Sequence, residues 1–390
     1  MKKYVIIGNG IAGLTGARAV RANDGDGEII MISEEKHLPY SKVLLTYYVS
    51  GEVEQNDMYL TTKSEYDGLG IKVFWGNKVT RLDTHNKQLF LDNSINIDYD
   101  SLLIASGGSP ILPEPLKKGI NGVTGLRTIE DAYFLRRAAV NKEKCVISGG
   151  GMIGVKLACA LKEMGADVQI IIKSPRILSK VADEETSFLI QRHMEANDVK
   201  IRTGSNVAET VAENSRLSSV ILDSGEVIDC KVFAVCKGVK PNLEFLVNKS
   251  GLERGIKVNE KMMTDFYDVY AAGDVASTFD ILQRYNTNTA IWPHAVEQAK
   301  IAGSNMAGEN LVFRGSVSRN SLSIFGLPMI TIGITNPDFN KEDWDFSIIN
   351  DSNSYQKLIY RKGKLAGAIL LGNIDRAGIL QAEIRKNAIQ

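Results

Sequence analysis

Two short apolar runs in this chain each break abruptly into glycines, and the hydrophobic pattern then resumes with a different period. Tyr4 to Ile7 leads into Gly8-Asn9-Gly10-Ile11-Ala12-Gly13 and then into a stretch from Leu14 to about Ala22 with helical spacing. A second apolar run, Ile29 to Ile32, ends at Ser33-Glu34-Glu35. Much further along, Cys145 to Ser148 leads into Gly149-Gly150-Gly151-Met152-Ile153-Gly154, a helix-like stretch from Val155 to Met164, and a run from Val168 to Ile172 ending at Lys173. A short unbroken apolar run bounded by turn residues reads as a strand covered on both faces, as in parallel sheets. Strand, glycine turn, helix and strand make one βαβ unit. The duplication predicts two dinucleotide-binding domains.

The remaining pattern places these units in a longer architecture. Tyr99 to Ile104 runs into Ala105-Ser106-Gly107-Gly108, and Val269 to Ala272 runs into Gly273-Asp274. Beyond about Leu311 no glycine fingerprint recurs. Strand-like pieces at Leu322 to Phe325, Met329 to Ile334, Gln356 to Tyr360 and Ala366 to Leu371 precede an amphipathic helix from about Ile374. That combination predicts a small α+β domain. Pro110 to Pro115 and Lys240-Pro241-Asn242 are the candidate crossings between domains. The expected fold class is therefore α/β, with two doubly wound Rossmann-like three-layer domains and a small C-terminal α+β domain. Residues 1–112 and 243–310 form the first, 113–242 the second and 311–390 the last.

Composition narrows the chemistry. The 390 residues are 44% hydrophobic and 24% charged, ordinary for a globular protein. Acids and bases balance at 46 each, without the basic block that tracks a phosphate backbone, so nucleic acid is not an expected partner. No apolar run approaches the roughly 18 residues of a membrane span. The apolar start is broken at Gly8, too early for a signal sequence, which predicts a cytoplasmic protein. Cys145, Cys159, Cys230 and Cys236 have neither C-x-x-C spacing nor disulfide-scaffold density, and read as core packing. His37, His85, His193 and His294 are scattered, so no metal site is expected. No G-x-S-x-G elbow stands in strand–turn–helix context, which argues against a hydrolase.

The glycines have distinct tasks. Gly8 makes the tight turn, Gly10 admits a pyrophosphate to the backbone, and Gly13 lets helix and strand pack closely. The helix start then offers free N–H groups and a partial positive charge. An acid about 20 residues further on should accept from a ribose hydroxyl, and Glu34, with Glu35 beside it, stands there. In the second unit the corresponding position holds Lys173, with Lys156 on the helix beyond the turn. A lysine cannot accept from a ribose hydroxyl but can pair with a 2′-phosphate. Either Lys173 selects NADPH, or it is a solvated lysine beside a site that binds NADH through backbone or has lost nucleotide.

Taken in order, GNGIAG, EEKHLPYSKVLL from Glu34 to Leu45, SLLIASGG, the run Leu126-Arg127-Thr128 to Asp131, GGGMIG and VYAAGDVA span nearly the whole chain. In these the chain resembles the two-dinucleotide-domain flavoproteins, which include NADH:rubredoxin reductases, ferredoxin reductases, the flavin portion of nitrite reductase and apoptosis-inducing factor. The resemblance implies FAD on the first domain and NADH or NADPH on the second. It assigns to FAD the turn Gly8 to Gly13 (Asn9, Ile11 and Ala12 included), Glu34, Glu35, Lys42, Val79, Ala105, Ser106, Gly107, Arg127, Gly273 and Asp274. Trp292-Pro293, expected just before a helix that closes the flavin site, is added to that set. Gly149, Gly151, Met152, Ile153, Gly154, Lys173 and Gly238 fall to the nicotinamide dinucleotide. Lys42, near the flavin, is the one candidate for a catalytic role, and no metal is implied.

Several positions depart from the family. Ser106 stands where Thr is usual, Lys42 where Arg is more frequent, and Lys156 where a Glu usually lies beside the nicotinamide. The redox cysteines of disulfide reductases, peroxidases and CoA-disulfide reductases are replaced near positions 40 to 46 by Ser41, Leu44 and Leu45. Without a thiolate there is neither a disulfide relay nor a sulfenic acid cycle. The resemblance thus implies hydride transfer from NAD(P)H to FAD and electron delivery to an external acceptor, a small redox protein such as rubredoxin or ferredoxin. Two other readings stand beside it: an FAD-containing electron-transfer subunit of a larger complex that does not use NAD(P)H, and a protein that keeps FAD for structure or signalling. A homodimer or complex built through the C-terminal domain is compatible with each.

Overall fold

The computed structural model describes residues 1–112, 119–338, 340, 343–351 and 354–389, so Pro113 to Pro115 of the first predicted crossing lie outside the described residues. The chain divides into two compact units. One comprises Met1–Ser41, Asn56–Ser109 and Lys240–Val317; the other comprises Lys42–Gln55, Pro110–Val239 and Ser318–Gln390.

The first unit is built on a five-stranded parallel sheet. Its order is Val269–Ala271, Ser101–Ile104, Lys3–Ile7, Glu28–Ser33, Ile71–Trp75. Tyr4, Val5, Ile6, Leu102, Leu103, Ile29 and Met31 are fully buried there, which explains why these strands read as continuous apolar runs. The helix Ile11–Asn23 begins within the first glycine turn and packs on the helix Trp292–Met306. Their approach is close: a Cβ on Gly303 would lie 2.4 Å from Gly16 O. A three-stranded antiparallel meander, Val79–Asp83, Gln88–Leu91 and Asn96–Asp98, stands in the chain between Ile71–Trp75 and Ser101–Ile104.

The second unit repeats the plan. Its parallel sheet runs Lys200–Arg202, Asp167–Ile171, Lys144–Ser148, Val232–Val235, Val123–Thr124. A three-stranded antiparallel sheet from Val207 to Asp229 lies between its last crossover strands. The same unit contains the C-terminal antiparallel sheet, ordered Arg319–Ile324, Leu327–Gly333, Lys364–Leu371, Tyr355–Arg361, Trp344–Asn350, with the helix Ala377–Ile389 packed on it.

Two doubly wound sheets and a C-terminal α+β domain are thus present, while element ends differ from the sequence reading. Both post-turn helices begin earlier than expected, at Ile11 and Met152, because helical backbone starts within the glycine turn before apolar periodicity shows. Trp292 and Pro293 open the closing helix rather than precede it, Pro being well suited to a first turn. The edge strand Trp344–Asn350 went unpredicted, since it is exposed along almost its whole length and carries no period-two burial.

Candidate functional site

The two glycine turns are near-copies in space as well as in sequence. In the first, Gly8 has φ +104°, and a Cβ there would lie 2.3 Å from Ala105 O. A Cβ on Gly13 would lie 1.9 Å from Gly8 O. In the second, Gly149 has φ +123° and a Cβ there would lie 2.3 Å from Cys236 O, while one on Gly154 would lie 2.0 Å from Gly149 O. Only the middle glycines differ: beyond Gly10 and beyond Gly151 nothing lies within 4 Å. The outer glycines are therefore required by packing, and the middle ones leave the helix start open.

The helices that leave these turns, Ile11–Asn23 and Met152–Glu163, have no side-chain cap and no acid in the first turn. By contrast Thr62, Thr128 and Asp183 cap the helices they precede, while Trp292–Met306 starts uncapped as well but with Pro293 in its first turn. An uncapped start leaves the first N–H groups without side-chain acceptors, and the helix dipole favours an anion there. Two open, uncapped glycine turns at the carboxyl ends of parallel strands fit a diphosphate each.

Several of the predicted residues lie in or beside the first turn. Asn9 fastens the turn, its amide donating to His37 O at 3.2 Å and accepting from Tyr66 Oη at 2.8 Å. Glu34 is exposed at the end of its strand, 3.7 Å from the Lys78 ammonium, whereas the Glu35 carboxylate accepts from the Tyr40 hydroxyl. Glu34 is the better placed ribose acceptor of the two. Val79 is buried in the core of this unit. Ala105 and Gly107 border the turn, but the Ser106 hydroxyl donates to Asn242 O at 2.9 Å and its carbonyl accepts from the Asn242 amide at 2.8 Å. This serine hydroxyl is thus engaged by the returning crossing. Gly273, at φ +80°, donates its N–H to Gln298 Oε1 at 2.9 Å, and a Cβ on it would lie 3.1 Å from Ala12 Cβ. Asp274 comes next, with its carbonyl accepting from the Asn288 amide at 2.6 Å.

Lys42 and Arg127 fall in the other unit, where the Lys42 ammonium donates to Arg127 O at 3.1 Å. The run Leu126 to Asp131 is a capping box: Asp131 accepts from the N–H groups of Arg127 and Thr128, each at 2.9 Å. Local helix initiation accounts for Thr128 and Asp131 without a ligand. In the same unit the Lys156 ammonium sits 4.2 Å over the Tyr47 ring, a cation–π contact that fixes its charge on the segment Leu45–Ser50. Lys173 is exposed, and Gly238 (φ +101°) accepts from Ile111 N–H at 3.0 Å.

The cysteines are chemically quiet. Burial pushes the thiols of Cys145, Cys159, Cys230 and Cys236 up to about 12, so they stay protonated at neutral pH. All four are free. Among the described residues no cluster of three His, Cys, Asp or Glu side chains could hold a metal ion, and no helix is long and apolar enough to cross a membrane. One residue at the second turn escaped the sequence reading. Lys237 donates to Asn206 Oδ1 at 2.6 Å beside that turn. Its signal was a charge in an otherwise apolar strand end, Val232 to Cys236, before Gly238.

Paired dinucleotide folds of this kind, each with an open glycine turn, define a flavin- and nicotinamide-dependent oxidoreductase. Residues 2–299 match the family described as pyridine nucleotide-disulphide oxidoreductase, and residues 319–388 match the rubredoxin NAD+ reductase C-terminal domain. The chain belongs to the pyridine nucleotide-disulphide oxidoreductase family. It is 31% identical to an NADH oxidase of Methanocaldococcus jannaschii, over 80% of this chain and 71% of that protein. It is 28% identical to the NADH-rubredoxin oxidoreductase of Clostridium acetobutylicum, over 96% of this chain and 92% of that one. Among solved structures, an NAD-dependent persulfide reductase from A. fulgidus aligns with TM-score 0.91 at 26% identity, over 99% of this chain and 77% of that one. The chain spans about half the length of two Bacillus subtilis relatives, 50% of an assimilatory nitrate reductase electron transfer subunit and 48% of a nitrite reductase. Its cofactors are FAD and NAD(P)H, and it is an oxidoreductase.

Proposed function

We propose that this chain passes electrons from NAD(P)H, through FAD, to a small external redox protein of the rubredoxin or ferredoxin kind. The observation that carries this reading is the pair of open, uncapped glycine turns together with four protonated thiols. Two dinucleotides have berths, and no cysteine is ionised to take electrons onward. Bound FAD supplies the chemistry of accepting a hydride and releasing electrons singly or in pairs. The turn Gly8 to Gly13 would hold its diphosphate against the start of Ile11–Asn23, and Glu34 its ribose. Ala105, Gly107, Gly273 and Asp274 would complete that berth, to which the family motifs also assign Trp292 and Pro293. The turn Gly149 to Gly154 would hold the nicotinamide dinucleotide. The relatives named NADH-rubredoxin oxidoreductase and putidaredoxin reductase, and the match to the rubredoxin reductase C-terminal domain, support a redox-protein acceptor. Four free thiols, three of them buried, fit a reducing compartment, the cytoplasm.

A second reading makes the chain an electron-transfer subunit of a larger complex. It is favoured by the two relatives of about twice its length, one of them named an electron transfer subunit, and by the positive charge of Lys156 where the family carries an acid. Anaerobic mixing of the FAD-loaded protein with NADH and with NADPH separates the two. Loss of the yellow flavin colour, and then its return on adding oxidised rubredoxin or ferredoxin, is the expected result. Colour that persists with both nucleotides removes the reductase reading in favour of the subunit.

A further inference from the structure

The register of the second parallel sheet brings two lysines to one place. Ser148 pairs with Ile171 on one side and with Val235 on the other, so those three residues stand level across adjoining strands. Lys173 and Lys237 each lie two residues beyond that level. Both therefore leave the carboxyl edge of the sheet, flanking the glycine turn that begins at Gly149, with backbones about 10 Å apart, two strand spacings. Nucleotides bind outside this edge.

The side-chain geometry closes the gap. Backbone from Gly204 to Ser205 runs along the Lys173 segment, Gly204 N–H donating to Ser174 O at 3.3 Å and Ser205 N–H to Ile172 O at 3.0 Å. The next residue, Asn206, accepts from the Lys237 ammonium at 2.6 Å. Lys237 therefore reaches across the turn toward the strand end that carries Lys173. Burial, and then the positive field of Lys173, hold the Lys237 ammonium below its ordinary range; Asp223 opposes this and is outweighed. Among the described residues Lys173 makes no hydrogen bond or ion pair. Two like charges brought together beside a nucleotide cleft cost stability unless an anion joins them.

The position identifies the anion. The strand end after Ile171 is where the adenosine ribose is met in this fold, and the diphosphate is already served by the helix start at Gly151. We propose that Lys173 and Lys237 together seat the 2′-phosphate of NADPH, making NADPH rather than NADH the electron donor. A phosphate carrying close to two negative charges matches two ammonium groups as a single 2′-hydroxyl does not. The inference rests on the reading of the second turn as the nicotinamide dinucleotide site.

The test is calorimetric and needs no turnover. The FAD-loaded protein is titrated with adenosine 2′,5′-bisphosphate and, separately, with 5′-AMP. The expected preference for the bisphosphate is about tenfold or more, the scale of one charge-assisted contact. Lys237→Met and Lys173→Met should each bring the ratio of the two affinities down severalfold, and Lys237→Arg should largely keep it. Thermal melting of each variant checks that it is folded. Equal affinity of the unaltered protein for both ligands, or an undiminished preference in folded Lys237→Met, overturns the proposal. If NADH bleaches the flavin as well as NADPH does, the reductase reading stands and this inference falls. If neither nucleotide binds, both fall together.

Discussion

A methyl group on Gly154 would stand 2.0 Å from Gly149 O, whereas one on Gly151 would meet nothing within 4 Å. The same residue type thus does two jobs three positions apart, and alanine substitution separates them. Gly154→Ala should destabilise the protein by roughly 1–3 kcal/mol, since backbone rather than a movable side chain is in the way. Gly151→Ala should shift stability by less than about 1 kcal/mol while weakening NAD(P)H binding about tenfold, the scale of one lost phosphate contact. Thermal melting and nucleotide titration on the two variants check the contrast; equal loss of stability would show that Gly151 is also structural. The cysteines give a second residue-scale prediction. With thiols at about 12, only on the order of one in 10⁵ is ionised at pH 7. Iodoacetamide at neutral pH should therefore leave NAD(P)H oxidation intact, and inactivation in step with alkylation would place a thiol in the reaction. Glycine roles and the lack of a cysteine near Ser41 were readable from spacing. The Lys237–Asn206 contact was not, because it joins residues from different strands.

At the scale of elements, capping separates Ile129–Val140 from the two helices that follow the glycine turns. Thr128 closes the start of Ile129–Val140 with a reciprocal box to Asp131, so that helix needs no ligand. Thr128→Ala should cost about 1 kcal/mol and leave nucleotide affinity unaltered. The helices after Gly10 and Gly151 lack any such closure. Their open ends should cost the apo protein stability that bound dinucleotide restores, so melting temperature should rise with added NADPH and FAD in proportion to the logarithm of concentration. Helix and strand types in both βαβ units were legible because covered parallel strands are apolar throughout. The exposed strand Trp344–Asn350 was not, since its pairing to Tyr355–Arg361 comes from backbone bonds that leave no pattern of burial.

Across the molecule, a buried polar cluster in the second unit joins residues far apart in sequence. Asp183, at a helix start, accepts from Lys357 at 3.0 Å and from Tyr355 at 2.8 Å, both on the C-terminal sheet. Burial pushes the Asp183 carboxyl up, but its bonds from Thr186, Lys357 and Tyr355 outweigh that and hold it below the ordinary carboxylate range. Its stabilising contribution is therefore complete above about pH 4, the unfolded value, and is lost as pH falls through the lower folded value. Lys357→Met should cost roughly 3–5 kcal/mol by leaving a buried carboxylate short of its counter-charge. It should also move acid unfolding to higher pH; denaturant titration at pH 4 and pH 7 measures both. Sequence alone determined the two dinucleotide folds, the separate tasks of Gly8, Gly10 and Gly13, and the lack of a cysteine at positions 40 to 46, because short-range backbone geometry and apolar covering write themselves into contiguous residues. Only tertiary structure decided that Lys237 faces toward Lys173, that Ser106 is bound to Asn242, and that Asp183 anchors Lys357. Those partners lie tens to hundreds of positions apart, and a charge or hydroxyl acquires its role from the dielectric and the neighbours that folding brings to it.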